Sequence, residues 1–239
     1  MTLDKAARLR HERSMNGHAF HFAGTTLTAL PSGALWWDAE RLLCVSDLHL
    51  GKSDRIVRRG GTMLPPYETR DTLSRLDADI ASTGARTVVC LGDSFDDLLS
   101  VEALDENERL WLARLQAGRD WVWIEGNHDP GPLDLGGTHR AELRAGPVTF
   151  RHSALPSGTA EISGHYHPKA RVIVKGRMIS RPCFLADARR VMLPAYGTYT
   201  GGLGWTDPVL SRLFAPGARA FLTGPSITVL PLPRTEIAQ

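Results

Sequence analysis

Cysteine, long apolar runs and net charge are all scarce in this sequence. The 239 residues include only three cysteines, an odd number that gives no disulfide framework and favours a reducing compartment, the cytoplasm. No apolar run approaches the ~20 residues that a membrane-spanning helix needs. The formal net charge of +2 neither indicates nor excludes a polyanionic partner. The composition therefore argues against a disulfide-stapled or membrane-spanning protein and leaves the function open.

Two further signals are missing. Residues 1–15 contain four basic residues but no apolar core, so they do not match a secretory signal. We expect residues 1–17 to form a flexible tail ahead of one domain over residues 18–239. The chain contains no GxxxxGK[ST] loop, which excludes a P-loop NTPase. The remaining composition, 42% hydrophobic and 23% charged, is typical of a soluble globular protein.

The first half of the chain alternates predicted strands and helices. Short apolar runs predict strands at residues 42–45, 87–91 and 121–124. Leucines at helical spacing predict helices between and beside them, over residues 67–82 and 104–116. Alternating strands and helices are typical of an α/β sheet, whose ligand sites lie at the carboxyl ends of its strands.

The remainder of the chain is mainly β in character. Short runs bounded by glycine and proline predict strands at residues 20–30, 34–37, 148–152, 160–163, 171–174, 191–193 and 227–230. Together with the α/β segment, they predict one domain with a sandwich-like core that is flanked by helices.

Polar side chains follow the predicted strands in five short motifs. The motifs are SDLHLGK with Asp47 and His49, LGDSFDD with Asp93 and Asp96, EGNHDP with Asn127 and His128, FRHSA with His152, and SGHYHP with His165 and His167. Each motif alone is a weak signal, because aspartate and asparagine often cap the helix that follows a strand. Capping does not account for five histidines in these places, so the whole set predicts a metal site.

The residue types indicate which metals such a site would bind. A mixture of carboxylate, imidazole and amide oxygen suits manganese, iron or zinc rather than calcium. In an extended chain, side chains two residues apart point to the same side, as Asp47 and His49 would. The two oxygens of one carboxylate, such as Asp93, can bridge two cations. Paired cations about 3.5–4 Å apart are typical of enzymes that displace phosphoryl groups.

The order of the motifs is similar to that of a known family. Asp-x-His, Gly-Asp-x-x-Asp, Gly-Asn-His-Asp, a lone histidine and Gly-His-x-His resemble the calcineurin-like metallophosphoesterases, over about half the chain, from Asp47 to His167. The SDLHLGK opening and the LPAYGTYTGG stretch near Pro194 further resemble the ligase-associated, PdeM-type branch of bacterial DNA-damage-response endonucleases. The resemblance implies an α/β (α+β) four-layer sandwich, in which helices flank two central mixed β-sheets.

The resemblance also implies a role for each candidate residue. One cation would be bound by Asp47, His49, Asp93 and His167, and the other by Asp93, Asn127, His152 and His165. His128 would not be a ligand and would protonate or stabilise the leaving oxygen, while Asp96 would support His128 or a ligand histidine through a hydrogen bond. A hydroxide between the cations would be the nucleophile. Two manganese ions are the expected cofactors, with iron, zinc or nickel as alternatives.

Charged and aromatic residues leave the substrate open. Residues 169–190 contain seven basic residues and one acid, and residues 52–59 contain four basic residues and one acid. Beside a metal site, such segments would hold a polyphosphate or nucleic-acid backbone, but a solvated charged face has the same composition. Most tryptophans fit core positions, whereas Trp205 and Tyr199 lie in a glycine-rich segment and are candidates for base stacking.

Three functions are compatible with these observations. The first, implied by the branch resemblance, is a manganese-dependent phosphodiesterase or endonuclease that acts on DNA in DNA repair, with a DNA ligase or helicase as partner. The second is a phosphatase or phosphodiesterase for a small nucleotide or another metabolite. The third, a non-catalytic binding module, would require loss of a ligand or of His128, and the sequence retains every motif position.

Overall fold

A computed structural model describes residues 16–62, 65, 67–131 and 134–233 of the chain. The tail predicted over residues 1–17 therefore lies outside the described residues, apart from its last two. Within the described part, fifteen β-strands form two sheets, and five α-helices and one short 3-10 helix (Asp38–Glu40) accompany them. None of these helices combines the length and the apolar character that a bilayer crossing requires.

The first sheet contains seven strands in chain order. They are β1 (His18–Phe22), β2 (Thr25–Ala29), β3 (Leu35–Trp37), β4 (Leu42–Val45), β5 (Thr87–Leu91), β6 (Asp120–Ile124) and β7 (Thr138–Arg140). Strands β1 to β4 pair antiparallel, and β4 to β7 pair parallel. The region predicted as one strand at residues 20–30 is instead the hairpin β1–β2, because Ala23 and Gly24 form a two-residue turn that reverses the chain.

The α-helices of the described part follow the parallel strands or lie near the end of the chain. They are α1 (Lys52–Arg58), α2 (Glu68–Thr83), α3 (Leu98–Glu102), α4 (Glu106–Gln116) and α5 (Pro208–Leu213). Helix α2 agrees with the prediction over residues 67–82. The helix predicted over residues 104–116 begins later, because Asp105 and Glu108 form a reciprocal capping box that starts α4 at Glu106.

The second sheet contains eight strands. They are β8 (Glu142–Ala145), β9 (Val148–Arg151), β10 (Glu161–Ser163), β11 (Lys169–Val174), β12 (Arg177–Ala186), β13 (Arg190–Met192), β14 (Arg219–Leu222) and β15 (Thr228–Pro231). Their order is β15-β14-β12-β13-β10-β9-β8, with β11 paired to β12. Strand β10 is parallel to β9 and β13, and the other pairs are antiparallel, so both sheets are mixed.

Apolar side chains fill three layers in and around the two sheets. Between the sheets, residues of both interdigitate, among them Phe20 and Phe150. The outer face of the first sheet packs against α2 and α4 through residues such as Leu73 and Leu112. The outer face of the second sheet packs against α5 through Leu210. This helix–sheet–sheet–helix order confirms the four-layer sandwich that the sequence led us to expect.

Candidate metal centre

All nine predicted site residues meet where the two sheets adjoin. The loops after β4, β5 and β6 supply one set, and the loops after β9 and β10 supply the other. Eleven described residues other than glycine have positive φ, and five of them are predicted ligands. These five are Asp47, His49, Asp93, His165 and His167, with φ between 45° and 71°. Backbone strain of this kind is typical of functional sites, where surrounding contacts hold it in place.

One group of ligand atoms comes from Asp47, His49 and His167. The Nε2 atom of His167 lies 3.1 Å from Oδ1 of Asp47 and 3.4 Å from Nε2 of His49. The other oxygen of Asp47, Oδ2, accepts hydrogen bonds from the Ser46 hydroxyl and from the His165 amide. Oδ1 is buried and accepts no hydrogen bond from the described residues. A buried carboxylate oxygen that accepts no hydrogen bond and lies near two imidazoles is suited to bind a cation.

A second group of ligand atoms is centred on His152. Its Nε2 atom lies 3.0 Å from Oδ1 of Asn127, 3.1 Å from Nδ1 of His165 and 3.4 Å from Oδ2 of Asp93. Its Nδ1 atom lies 2.7 Å from the Leu91 carbonyl oxygen. Because a carbonyl can only accept, Nδ1 carries the proton, and Nε2 is directed toward the other ligand atoms.

The two groups adjoin, but Asp93 is not placed equally between them. Nδ1 of His152 lies 3.9 Å from Oδ1 of Asp47, which links the groups. Three sets of residues offer ligand atoms within 4.8 Å of one another. Asp47, His49 and His167 form the first group and Asp93, His152 and His165 the second, while the third set, His49, Asp96 and His128, shares His49 with the first group. The geometry thus assigns Asp93 to the second group, and its bridging role stays a prediction.

The electrostatics of the centre favour bound positive charge. Burial alone would raise the pKa of the Asp93 carboxyl, but its interactions with His152 and the His128 amide lower that pKa to about 2. Burial alone would lower the pKa of His152, but the carboxylates of Asp93 and Asp47 raise it to about 9. In the absence of metal, a proton on His152 would thus compensate the buried carboxylates, and metal binding would release that proton.

Asp96 contacts two predicted site histidines through different atoms. Its side-chain Oδ1 lies 2.9 Å from Nδ1 of His49, and its main-chain carbonyl oxygen lies 2.8 Å from Nδ1 of His128. The first contact turns Nε2 of His49 toward the first ligand group. The second leaves Nε2 of His128 free, 4.0 Å from Oδ2 of Asp93. The His128 side chain is 28% exposed and that of His49 only 3%, so His128 is open to a substrate.

Two basic segments, residues 52–59 and 169–190, were candidates to hold a nucleic-acid backbone. The structure removes most of the first segment and part of the second from that role. Within helix α1, Arg55 and Lys52 contact the Asp96 carboxylate at 2.8 and 3.4 Å, and Arg58 pairs with Asp54 and Asp97. Most of the positive charge of residues 52–59 is thereby neutralised locally. In the segment 169–190, Arg190 is fully buried and lies 3.4 Å from the buried Glu161. Neither these cations of helix α1 nor Arg190 contributes to a solvent-facing basic rim.

Sequence reasoning missed the role of Asp129. This buried carboxylate accepts hydrogen bonds from the main-chain N–H groups of Asp93, Ser94, Phe95 and Gly126. Burial raises its pKa to about 6, although these N–H donors act in the opposite direction. It thereby ties the loop after β6 to the loop after β5. Asp129 is the final residue of the Gly-Asn-His-Asp motif, and that position was the sequence signal that could have identified it.

The glycine-rich segment 196–204 packs directly on the loops that carry the ligands. A Cβ atom on Gly202 would lie 2.0 Å from the carbonyl oxygen of His167, so only glycine permits this approach. Tyr199 is exposed at 42%, as a stacking residue would be. Trp205 is buried against α5 and the second sheet, so its prediction as a base-stacking candidate was wrong.

Three comparisons with known proteins bear on the family of this chain. The calcineurin-like phosphoesterase family matches residues 40–180, which contain all nine site residues and more than half of the chain. The crystal structure of the Pseudomonas putida nuclease MPE is similar, with a TM-score of 0.70 and 27% sequence identity over 90% of this chain and 100% of that one. No curated protein matches the chain. The chain belongs to the calcineurin-like phosphoesterase family and is a metal-dependent phosphoester hydrolase.

Proposed function

We propose that this protein is a dinuclear metal-dependent nuclease that hydrolyses phosphodiester bonds of DNA. The observation that carries the proposal is the pair of adjoining ligand groups, each combining carboxylate oxygen with imidazole nitrogen. The similarity to a nuclease structure supports nucleic acid as the substrate. A role in DNA repair, with a DNA ligase or helicase as partner, extends the proposal on the resemblance described above. The three cysteines are buried and unpaired, which agrees with a cytoplasmic location.

The proposal assigns each ligand group to one cation. Asp47, His49 and His167 would hold the first, and Asn127, His152 and His165 the second, with Asp93 shared. Manganese is the proposed metal because it suits a mixed oxygen and nitrogen ligand set. Bound there, the cations would supply Lewis-acid activation of water and neutralisation of phosphate charge. The loops fix the ligands beforehand, since Asp129 and the glycine-rich segment hold their main chains.

His128 is suited to act on the leaving group. The Asp96 carbonyl oxygen accepts from Nδ1, which fixes the ring and its tautomer. When the ring is protonated, the second proton would reside on Nε2, the atom that faces the metal centre. Because the side chain is partly exposed, Nε2 can reach a substrate oxygen and donate that proton as the bond to phosphorus breaks.

The test compares a chromogenic phosphodiester with its monoester in the presence of Mn²⁺. Asp93→Asn serves as the blank, and Asp120→Asn, an exposed change at the amino end of β6, is the control for the loss of one carboxylate. We expect the diester to be preferred, Asp93→Asn to be inactive and metal-poor, and Asp120→Asn to resemble the wild type. Cleavage of DNA is then measured on single strands, duplexes and closed circles. A preference for the monoester, with no DNA cleaved, would instead favour a phosphatase for a small nucleotide or metabolite.

A further inference from the structure

Strands β11 and β12 form a hairpin whose outer part extends beyond the second sheet. From Cys183 onward, β12 pairs with β14, and its last two residues also pair with β13. Residues 171–180, which we call the hairpin arm, pair only with each other, in four consecutive residue pairs. Lys175 and Gly176 form the turn, and both have positive φ. Such turns match the right-handed twist of a hairpin, so the arm is a well-formed ribbon.

The hairpin carries positive charge only. Its basic residues are Lys169, Arg171, Lys175, Arg177 and Arg181, and residues 169–186 include no acid. The last four of these are exposed, and in the part of the chain that the structure describes they make no ion pair or side-chain hydrogen bond. Helix α1 differs, because Asp96 and Asp97 neutralise its arginines. Cations held without partners on a regular support are available to a polyanion.

Two large apolar side chains share a face of the arm with Arg171, whereas Arg177 and Arg181 lie on the opposite face. Ile173 and Met178 oppose each other across the arm, so they share one face of the ribbon. They are 73% and 71% exposed, the highest values among the exposed large hydrophobic residues of the described part. Isoleucine and methionine beside arginine and lysine are a combination that proteins use in DNA grooves, where apolar groups contact bases and cations contact phosphates. Charge and apolar surface together therefore favour nucleic acid as the occupant.

The base of the hairpin adjoins the candidate metal centre. Lys169 lies two residues after His167, and its Nζ donates to the Thr200 carbonyl oxygen at 2.7 Å. A cavity of about 500 Å³ opens at this point, lined in part by Lys169, Arg181 and Tyr199. A nucleic-acid strand that leaves the metal centre on this side would meet the cavity first and the hairpin arm next.

We propose that the hairpin arm binds the backbone and groove of duplex DNA on one side of the scissile phosphate, an inference that rests on the proposed nuclease function. A six-residue strand such as β11 rises about 3.3 Å per residue, so the arm reaches about 20 Å from Lys169. DNA carries about one phosphate per 3.4 Å of axis on each strand, so this reach spans about six nucleotides. Long substrates should therefore depend on the arm, and small diesters should not.

The experiment pairs two variants that lose the same charge. Lys175→Gln/Arg177→Gln removes two cations from the arm. Arg86→Gln/Arg219→Gln removes two exposed cations remote from it: Arg86 precedes β5 at the amino edge of the first sheet, and Arg219 pairs with Ala186 at the far end of β12. For each variant, kcat/KM is measured on a labelled duplex of about 30 base pairs, longer than the reach of the arm, between about 50 and 200 mM salt. The chromogenic diester provides the reference for the metal centre.

We expect the arm variant to cleave the duplex at least tenfold more slowly at about 0.1 M salt, with a salt slope shallower by roughly 1.5–2. Its activity on the chromogenic diester should match that of the control. Ile173→Ser/Met178→Ser should slow duplex cleavage without changing the slope, since it removes no charge. Equal duplex cleavage by the arm and control variants would overturn the inference, as would an equal loss on both substrates. If the wild type cleaves the chromogenic diester but no nucleic acid, the proposed function fails instead.

Discussion

Replacing Asp96 with asparagine separates its side-chain role from its main-chain role. In the wild type, the carboxylate lies 2.9 Å from His49 Nδ1 and accepts a hydrogen bond from Arg55 at 2.8 Å. Burial opposes its ionisation, but these partners hold its pKa well below the usual range. An asparagine amide has one oxygen and one NH2 group, so it can accept from only one of the two donors. The other donor then faces an NH2 group, and His49 loses the carboxylate that orients it.

The expected cost follows from this geometry. Loss of a residue that orients a metal-binding histidine lowers metal affinity by about 10–100-fold, or about 1.4–2.7 kcal/mol. The main-chain carbonyl that holds His128 is unchanged in the variant. We therefore expect Asp96→Asn to need more Mn²⁺ for half-maximal activity and to recover most of its kcat when the metal is saturating. Asp96→Ala loses both side-chain contacts, to His49 and to Arg55. Its loss of metal affinity should therefore lie at the upper end of this range.

The assay is a Mn²⁺ titration of chromogenic diester hydrolysis, together with the metal content of each purified variant. Asp97→Asn is the matched control, because it removes the adjacent carboxylate, which pairs with Arg58 and caps α3. It should lose some stability and keep its metal affinity. The reasoning is refuted if Asp96→Asn binds metal normally, or if its kcat at saturating Mn²⁺ stays as low as that of a variant lacking His128.

Three further outcomes follow from contacts in the structure. His128→Ala should lower kcat by about 10²–10⁴ while both metals remain bound; metal loss on elemental analysis would show that His128 is a ligand. Gly202→Ala places a Cβ atom 2.0 Å from the His167 carbonyl oxygen, so it should lower the free energy of unfolding by about 1–3 kcal/mol and weaken metal binding. Urea titrations of both variants measure this loss, and Gly201→Ala, whose Cβ atom meets nothing within 4 Å, should change little in them. Glu161→Ala leaves a fully buried arginine without its carboxylate and should cost about 3–5 kcal/mol; a loss near zero would show that main-chain carbonyls alone satisfy that arginine.

Much of the candidate site was predictable because its chemistry is encoded locally. A ligand is a residue type at a strand end, and strand ends follow apolar runs that are visible in the sequence. Asp93 follows β5 and Asn127 follows β6 in this way. The parallel pairing of β4, β5 and β6 then brings their carboxyl ends to one edge.

The roles of supporting residues were less accessible, because they depend on contacts between distant parts of the chain. Asp96 is 41 residues from Arg55 and uses a main-chain atom for His128. Asp129 acts on amides 34 to 36 residues earlier. No local pattern of residue types specifies such pairings.

The sequence by itself determined the α/β segment, the chemical nature of the centre and the position of each candidate ligand, since these follow from hydrophobic period and residue type. Tertiary structure alone decided which charges remain free. Asp96 and Asp97 pair with Arg55 and Arg58 of helix α1, and Glu161 accompanies Arg190 into the core. The cations of the hairpin arm stay exposed because β11 and β12 extend beyond the sheet. The electrostatic effect of a charge depends on the neighbours that folding brings to it, and composition does not record them.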